Sequence, residues 1–222
     1  MYQRPGVPAT GSTERPENPG SATDYSDERP HIFTHYFVGA NAYIPAKFGS
    51  TEKPQMAVER LKHAAEVDID SKMLAKGVLK VSVTNTGAGH SIPTGLGDLR
   101  QVWLEVLIKD KSSKVVFSSG ALTQDNILPD DSVRFMTVFG DGKGNAVINL
   151  SKARKVLSDN RIKAGQRVSH TYDLKGVKLG KDYQVQVRLL YRSAPRKILN
   201  MIPGDTFELM PVIEMAKAAA RL

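Results

Sequence analysis

The chain has 222 residues, 41% of them hydrophobic, enough to bury one good core or a core with appendages. Its formal net charge is +8, but the lysines and arginines are scattered along the whole length. With no aromatic-interleaved basic stripe and no helix-turn-helix pattern, nothing points to nucleic acid. Cysteine is absent, which excludes disulfides and thiolate metal sites within the chain.

No apolar run approaches the roughly 18 residues of a transmembrane helix, so no transmembrane segment is expected. The N-terminus lacks the basic and apolar regions of a signal peptide. The expectation is either a cytosolic protein or a mature or excised piece of a longer one.

Residues 1–30 contain five prolines (Pro5, Pro8, Pro16, Pro19, Pro30), several glycines and almost nothing apolar. Such a segment cannot offset its conformational entropy by burial and is expected to be an extended tail. His31-Ile-Phe-Thr-His35-Tyr-Phe-Val-Gly39-Ala-Asn41 follows, aromatic and apolar, with two histidines at i, i+4. On a helix, or on a strand where even spacings share a face, both imidazoles point the same way. They serve either an aromatic anchor or metal ligation by neutral imidazole.

Residues 51–68 predict a helix, with Thr51 as cap, Pro54 in the first turn, and a stripe of Ala57, Leu61, Ala64 and Asp68. His63 falls on its solvated face. From Val78 the pattern turns to β. Leu79, Val81 and Val83 alternate with polar residues, and Val102, Leu104, Val106 and Ile108 do so after a long connection. That connection, Thr84 to Arg100, holds Gly87, Gly89, Gly95, Gly97 and Pro93, and His90 is its only imidazole. Its glycines predict a loop of definite shape, with Gly89 and Gly95 the expected demanding positions and Asp98 paired with Arg100.

Further strands are predicted at Val115–Phe117, Val133–Phe139, Val168–Leu174 and Tyr183–Tyr191, with a hairpin turn at 109–114 and a plain turn at 141–145. His170 alternates with the apolar set and is expected at the core edge. Ser151–Leu157 predicts a short basic helix, and Pro211–Leu222 another with proline in its first turn. The fold class is mainly β: an antiparallel immunoglobulin- or fibronectin-like β-sandwich with an extended N-terminal tail and flanking helices. The expected organisation is a tail over 1–30, an aromatic His-containing segment plus linker helix over 31–75, the sandwich over 76–195, and an extension with a helix over 196–222.

Enzyme signatures are missing: no G-x-S-x-G elbow, no phosphate-cradling loop and no H-E-x-x-H occurs, and the expectation is that this chain is not an enzyme. Asn85-Thr-Gly-Ala-Gly-His-Ser-Ile-Pro-Thr-Gly95, followed by Arg100 and Trp103-Leu-Glu-Val106, resembles the loop and strand of the C-terminal β-sandwich in multihaem c-type cytochromes. His35-Tyr-Phe-Val-Gly-Ala-Asn41 is similar to the H-x-F-x-G-x-N segment that follows the last C-x-x-C-H site in that family. Met1 sits where the family commonly has a Met just after that site. The chain itself has no C-x-x-C-H.

The resemblance implies an electron-transfer component, the post-haem portion of such a cytochrome. His35 is then the first candidate for an axial ligand to a haem iron, with His31 and His90 behind it. The cofactor implied is haem c attached to other polypeptide. The implied partner is that haem-bearing polypeptide, from the upstream part of the same precursor or from another chain, in an oligomer or filament. The implied location is periplasmic or extracellular. The strand count serves an alternative equally well: an extracellular immunoglobulin-like binding or adhesion module without haem.

Overall fold

A computed structural model of the chain describes residues 3–5, 31–33, 38–70, 72–177, 179–180, 182–199 and 210–221. The chain divides into two compact units, Met1–Gly39 and Ala40–Leu222. In the first, strand β1 (Gln3–Pro5) pairs antiparallel with β2 (His31–Phe33), Arg4 opposite Ile32. The remainder of the proline-rich tail lies outside the described residues.

The second unit begins with two helices, α1 (Tyr43–Lys47) and α2 (Glu52–Lys62). The hydroxyl of Ser50, one residue before the expected Thr51, accepts from Lys53 N at 3.2 Å. The predicted helix over 51–68 ends at Lys62, because Glu66-Val-Asp-Ile-Asp70 alternates with period two. It forms strand β3 (Glu66–Asp70), which sets Val67 opposite Val83 and Ile69 opposite Val81.

One sheet runs β10 (Arg167–Asp173), β4 (Val78–Thr84), β3, all antiparallel. The other runs β12 (Ile213–Arg221), β11 (Gln184–Arg192), β5 (Gln101–Lys109), β6 (Val115–Ser119), with β7 (Arg134–Phe135) also on β5. Leu79, Val81 and Val83 of the first sheet are fully buried, as are Val102, Val106, Ile108, Val187 and Leu189 of the second. Each such side chain contributes about 1.5–3 kcal/mol by leaving water. The architecture is the expected antiparallel β-sandwich with flanking helices.

Two helices expected from sequence are strands. The C-terminal alanine-rich segment pairs with β11 along its whole length, Ala220 opposite Val185 and Ala218 opposite Val187. The edge of β11 offers a full backbone ladder, and that overrides the helix preference of alanine. The predicted helix over 151–157 is a 3₁₀ turn (Leu150–Lys152) leading into β9 (Lys155–Asp159), which pairs with β8 (Thr137–Gly140). The single strand predicted over 133–139 is interrupted at Met136. Its N–H is taken by the Asn160 side chain at 2.8 Å, so β7 stays on β5 while β8 leaves to join β9.

The outer face of the larger sheet is covered by the 120–133 connection. Trp103 packs with Leu190, Leu128 and Leu122, and its indole N–H donates to Gly120 O at 3.0 Å. The buried Arg192 guanidinium lies 5.7 Å from the Trp103 ring and donates to Asn126 O at 2.8 Å.

Candidate site in the glycine-rich loop

The connection from β4 to β5 begins at Asn85, whose side chain is 1% exposed. Its Nδ2 donates to His90 O at 2.8 Å and to Ile162 O at 3.1 Å, while its Oδ1 accepts from Ala88 N at 3.1 Å. One amide therefore ties both ends of the His90 turn to the neighbouring chain segment. Ile92 and Ile162 exchange two backbone hydrogen bonds of 2.9 Å, which locks the second half of the loop in place. The Ile92–Pro93 peptide is cis.

Gly87 sits where no side chain fits. A Cβ there would lie 1.7 Å from His63 O, and its N–H donates to Ala64 O at 3.1 Å. Gly89, expected to be demanding, faces open space without a positive φ; Gly95 has φ +72° and also faces open space. The loop's shape is thus set by close approach at Gly87 and by backbone conformation at Gly95. Thr137 N donates to Gly97 O at 3.1 Å, so the loop carries the start of β8 as well.

The expected Asp98–Arg100 pair does not form. Arg100 Nη1 donates to Ser193 O at 2.8 Å, which clamps the loop's end to the end of β11. Asp98 Oδ2 is buried without a hydrogen-bond partner.

His90 is exposed, and its Nδ1 lies 3.1 Å from Ser91 O. A carbonyl oxygen only accepts, so in this contact Nδ1 is the donor. His35 lies outside the described residues, and of His31 the backbone alone is described, paired opposite Pro5. His31 and His35 belong to the first unit and His90 to the second. His63 is exposed on α2 with Nδ1 2.8 Å from Glu59 O. His170, opposite Val81 on edge strand β10, stands edge-on to Tyr172 at 4.7 Å between centroids, and partial burial lowers its pKa below the usual 6.5.

Among the described residues no three His, Asp or Glu side chains converge to hold a metal ion, and no helix is long and apolar enough to cross a membrane. The anchoring role of Asn85 was not foreseen. Its signal was an Asn directly after a strand and two residues before Gly87, the setting of an Asx-type turn. The Arg192–Trp103–Asn126 cluster had no local signal, since its members are brought together only by strand pairing.

These features define an antiparallel β-sandwich that displays a rigid, imidazole-bearing loop at one end. No known family model and no curated protein matches the sequence. Among solved structures, a pentahaem cytochrome c552 from Thermochromatium tepidum aligns over 74% of this chain with a TM-score of 0.57 and 19% identity. The two share a fold over that span, which is 41% of the cytochrome's length, so the present chain accounts for less than half of it. An ApaA protein from Bordetella pertussis aligns over 71% of this chain at 10% identity, but its TM-score of 0.26 carries no argument.

The donor set bears on what a haem could find here. With no cysteine, the chain has no means of attaching haem covalently. The loop does present one exposed imidazole, that of His90.

Proposed function

We propose that this chain is the β-sandwich part of a multihaem electron-transfer cytochrome, packed on haem-bearing polypeptide and supplying axial imidazole. The observation that carries the reading is the shared fold with a pentahaem cytochrome over 74% of the chain. Support comes from the loop whose residues resemble those of multihaem cytochromes, and from the exposed imidazole of His90 on it.

Haem, when bound, supplies reversible one-electron chemistry. The chain's own work is to present imidazole to the iron and keep water from the ligated face. His35 is the leading ligand in this proposal. Phe33, Tyr36 and Phe37, which flank it in the sequence, are residue types that exclude water, and His31 and His90 are further candidates. The chain performs no bond-making catalysis, and its assembly is periplasmic or extracellular.

The test is colour. The assembled protein, isolated under native conditions with this chain verified by mass, should show a Soret band and low-spin haem in fixed stoichiometry with the chain. A colourless assembly would overturn the proposal and favour the binding-module alternative.

A further inference from the structure

Strands β8 and β9, with the connection between them, form a two-stranded sheet separate from the two larger ones. Phe139 is opposite Val156, and Val147 N donates to Phe139 O at 2.9 Å beside the isolated Gly140–Ala146 bridge. None of the five residues of β9 is buried. Val156 is 56% exposed, Ile148 and Leu150 44% each, and Leu157 39%. A ribbon of two strands is marginal in water without something to pack on. Four large aliphatics left open on one such element mark an interaction surface.

The charges on the ribbon are of one available sign. Lys143, Lys152, Arg154 and Lys155 have no carboxylate partner among the described residues. The two acids of the ribbon are already committed. Asp141 accepts from Lys143 N at 2.8 Å and from Asn145 N and Nδ2 at 2.9 and 3.1 Å within its own turn. Asp159 is held by Arg161 through bonds of 2.8 and 2.7 Å. The ribbon thus offers aliphatic groups and cations, with Arg154 also donating to Ser151 O and Ala153 O, while both of its own acids are engaged; Asp130 and Asp131 border it beside Val138 and Ser158. A second copy of this chain, which carries a net charge of +8 and the same cations, is a poor match for it.

The ribbon is also tied to the glycine-rich loop. Thr137 N bonds Gly97 O, and Ile162, just past β9, bonds Ile92 in both directions. Leu96 of the loop is itself 44% exposed.

The geometry points to the β8–β9 ribbon as the surface on which the haem-bearing polypeptide docks, its aliphatics against the partner's apolar face and its cations against carboxylates there, haem propionates included. This rests on the function proposed above and adds to it the place of contact. Charge pairing at the rim governs the encounter and its salt dependence, while the buried aliphatics hold the complex.

Hydrogen–deuterium exchange separates the two readings. The chain alone and the haem-containing assembly are compared over residues 146–157, with the double substitution Lys152→Glu, Lys155→Glu as a surface variant that leaves the core untouched. The expected result is slowing of exchange in the assembly by at least about tenfold. The variant should assemble about tenfold more weakly at low salt, with the difference shrinking as salt rises. A haem-containing assembly in which 146–157 exchanges as fast as in the free chain would overturn this inference and leave the function standing. Protection that appears in the chain alone, with a dimer by sedimentation, would assign the surface to a second copy and also overturn it. If no haem accompanies the assembled chain, both fall.

Discussion

Asn85 Nδ2 donates to the carbonyl of His90 at 2.8 Å, five residues along the same loop. The same amide reaches Ile162 O and receives Ala88 N, so three hydrogen bonds converge on one buried side chain. Replacing it with Ala leaves two carbonyls and one N–H to find other partners, at a cost of about 2–3 kcal/mol. Urea denaturation should show that loss. Asn85→Asp should be worse at neutral pH than at pH 4, since a carboxylate facing two carbonyls is repelled until it is protonated.

Gly87 and Gly89 differ by two positions and should differ sharply in tolerance. Gly87→Ala drives a methyl into His63 O, with a Cβ placed at 1.7 Å, and should cost more than about 2 kcal/mol because backbone must move. Gly89→Ala meets open space and should lie within about 0.5 kcal/mol of the parent. Gly95→Ala should fall between, about 1 kcal/mol, from its positive φ alone. Thermal melts of the three variants rank them directly.

Two groups give the protein opposite edges of an acid response. Arg161 beside Asp159 lowers that carboxyl to about 2. Its contribution is therefore complete above the ordinary value of 3.8 and is lost as pH falls from there toward 2. The stability gap between the parent and Asp159→Asn should close over that window and stay flat above it. His170 works at higher pH. Desolvation lowers its pKa, so the unfolded chain binds the proton first, and stability is complete above 6.5 and declines as pH falls below it. A His170→Gln variant should lack this decline, and NMR titration of the ring should give a midpoint under 6.5.

How far the sequence could be read depends on how local each determinant is. Alternation over Leu79–Val83, Val102–Ile108 and Val185–Tyr191 is a property of the strands themselves, and those strands are where it put them. Glu66–Asp68 fell within the predicted helix because Glu and Asp at the end of an amphipathic stretch continue either pattern. Only the neighbouring ladder of β4 decides it. The Ala216–Ala220 segment favours a helix in isolation, and the open edge of β11 was not visible from its residues. Within the loop, the motif residues mark the connection from β4 to β5, but which glycine is crowded depends on where α2 ends. Gly87 meets His63 O and Gly89 meets nothing. Arg100 was expected to seek Asp98, two residues away, and instead takes Ser193 O, 93 positions along the chain, which strand pairing brings alongside.

The central claim is that imidazole from this chain ligates haem iron held by its partner polypeptide. The most direct measurement is His35→Met in the assembled protein, followed by low-spin haem spectroscopy and a redox titration. The account predicts that one haem passes from bis-imidazole to imidazole–thioether ligation, with a changed low-spin signature and a raised midpoint potential. Spectra and potentials identical to those of the parent assembly would contradict it and remove His35 from the ligand set.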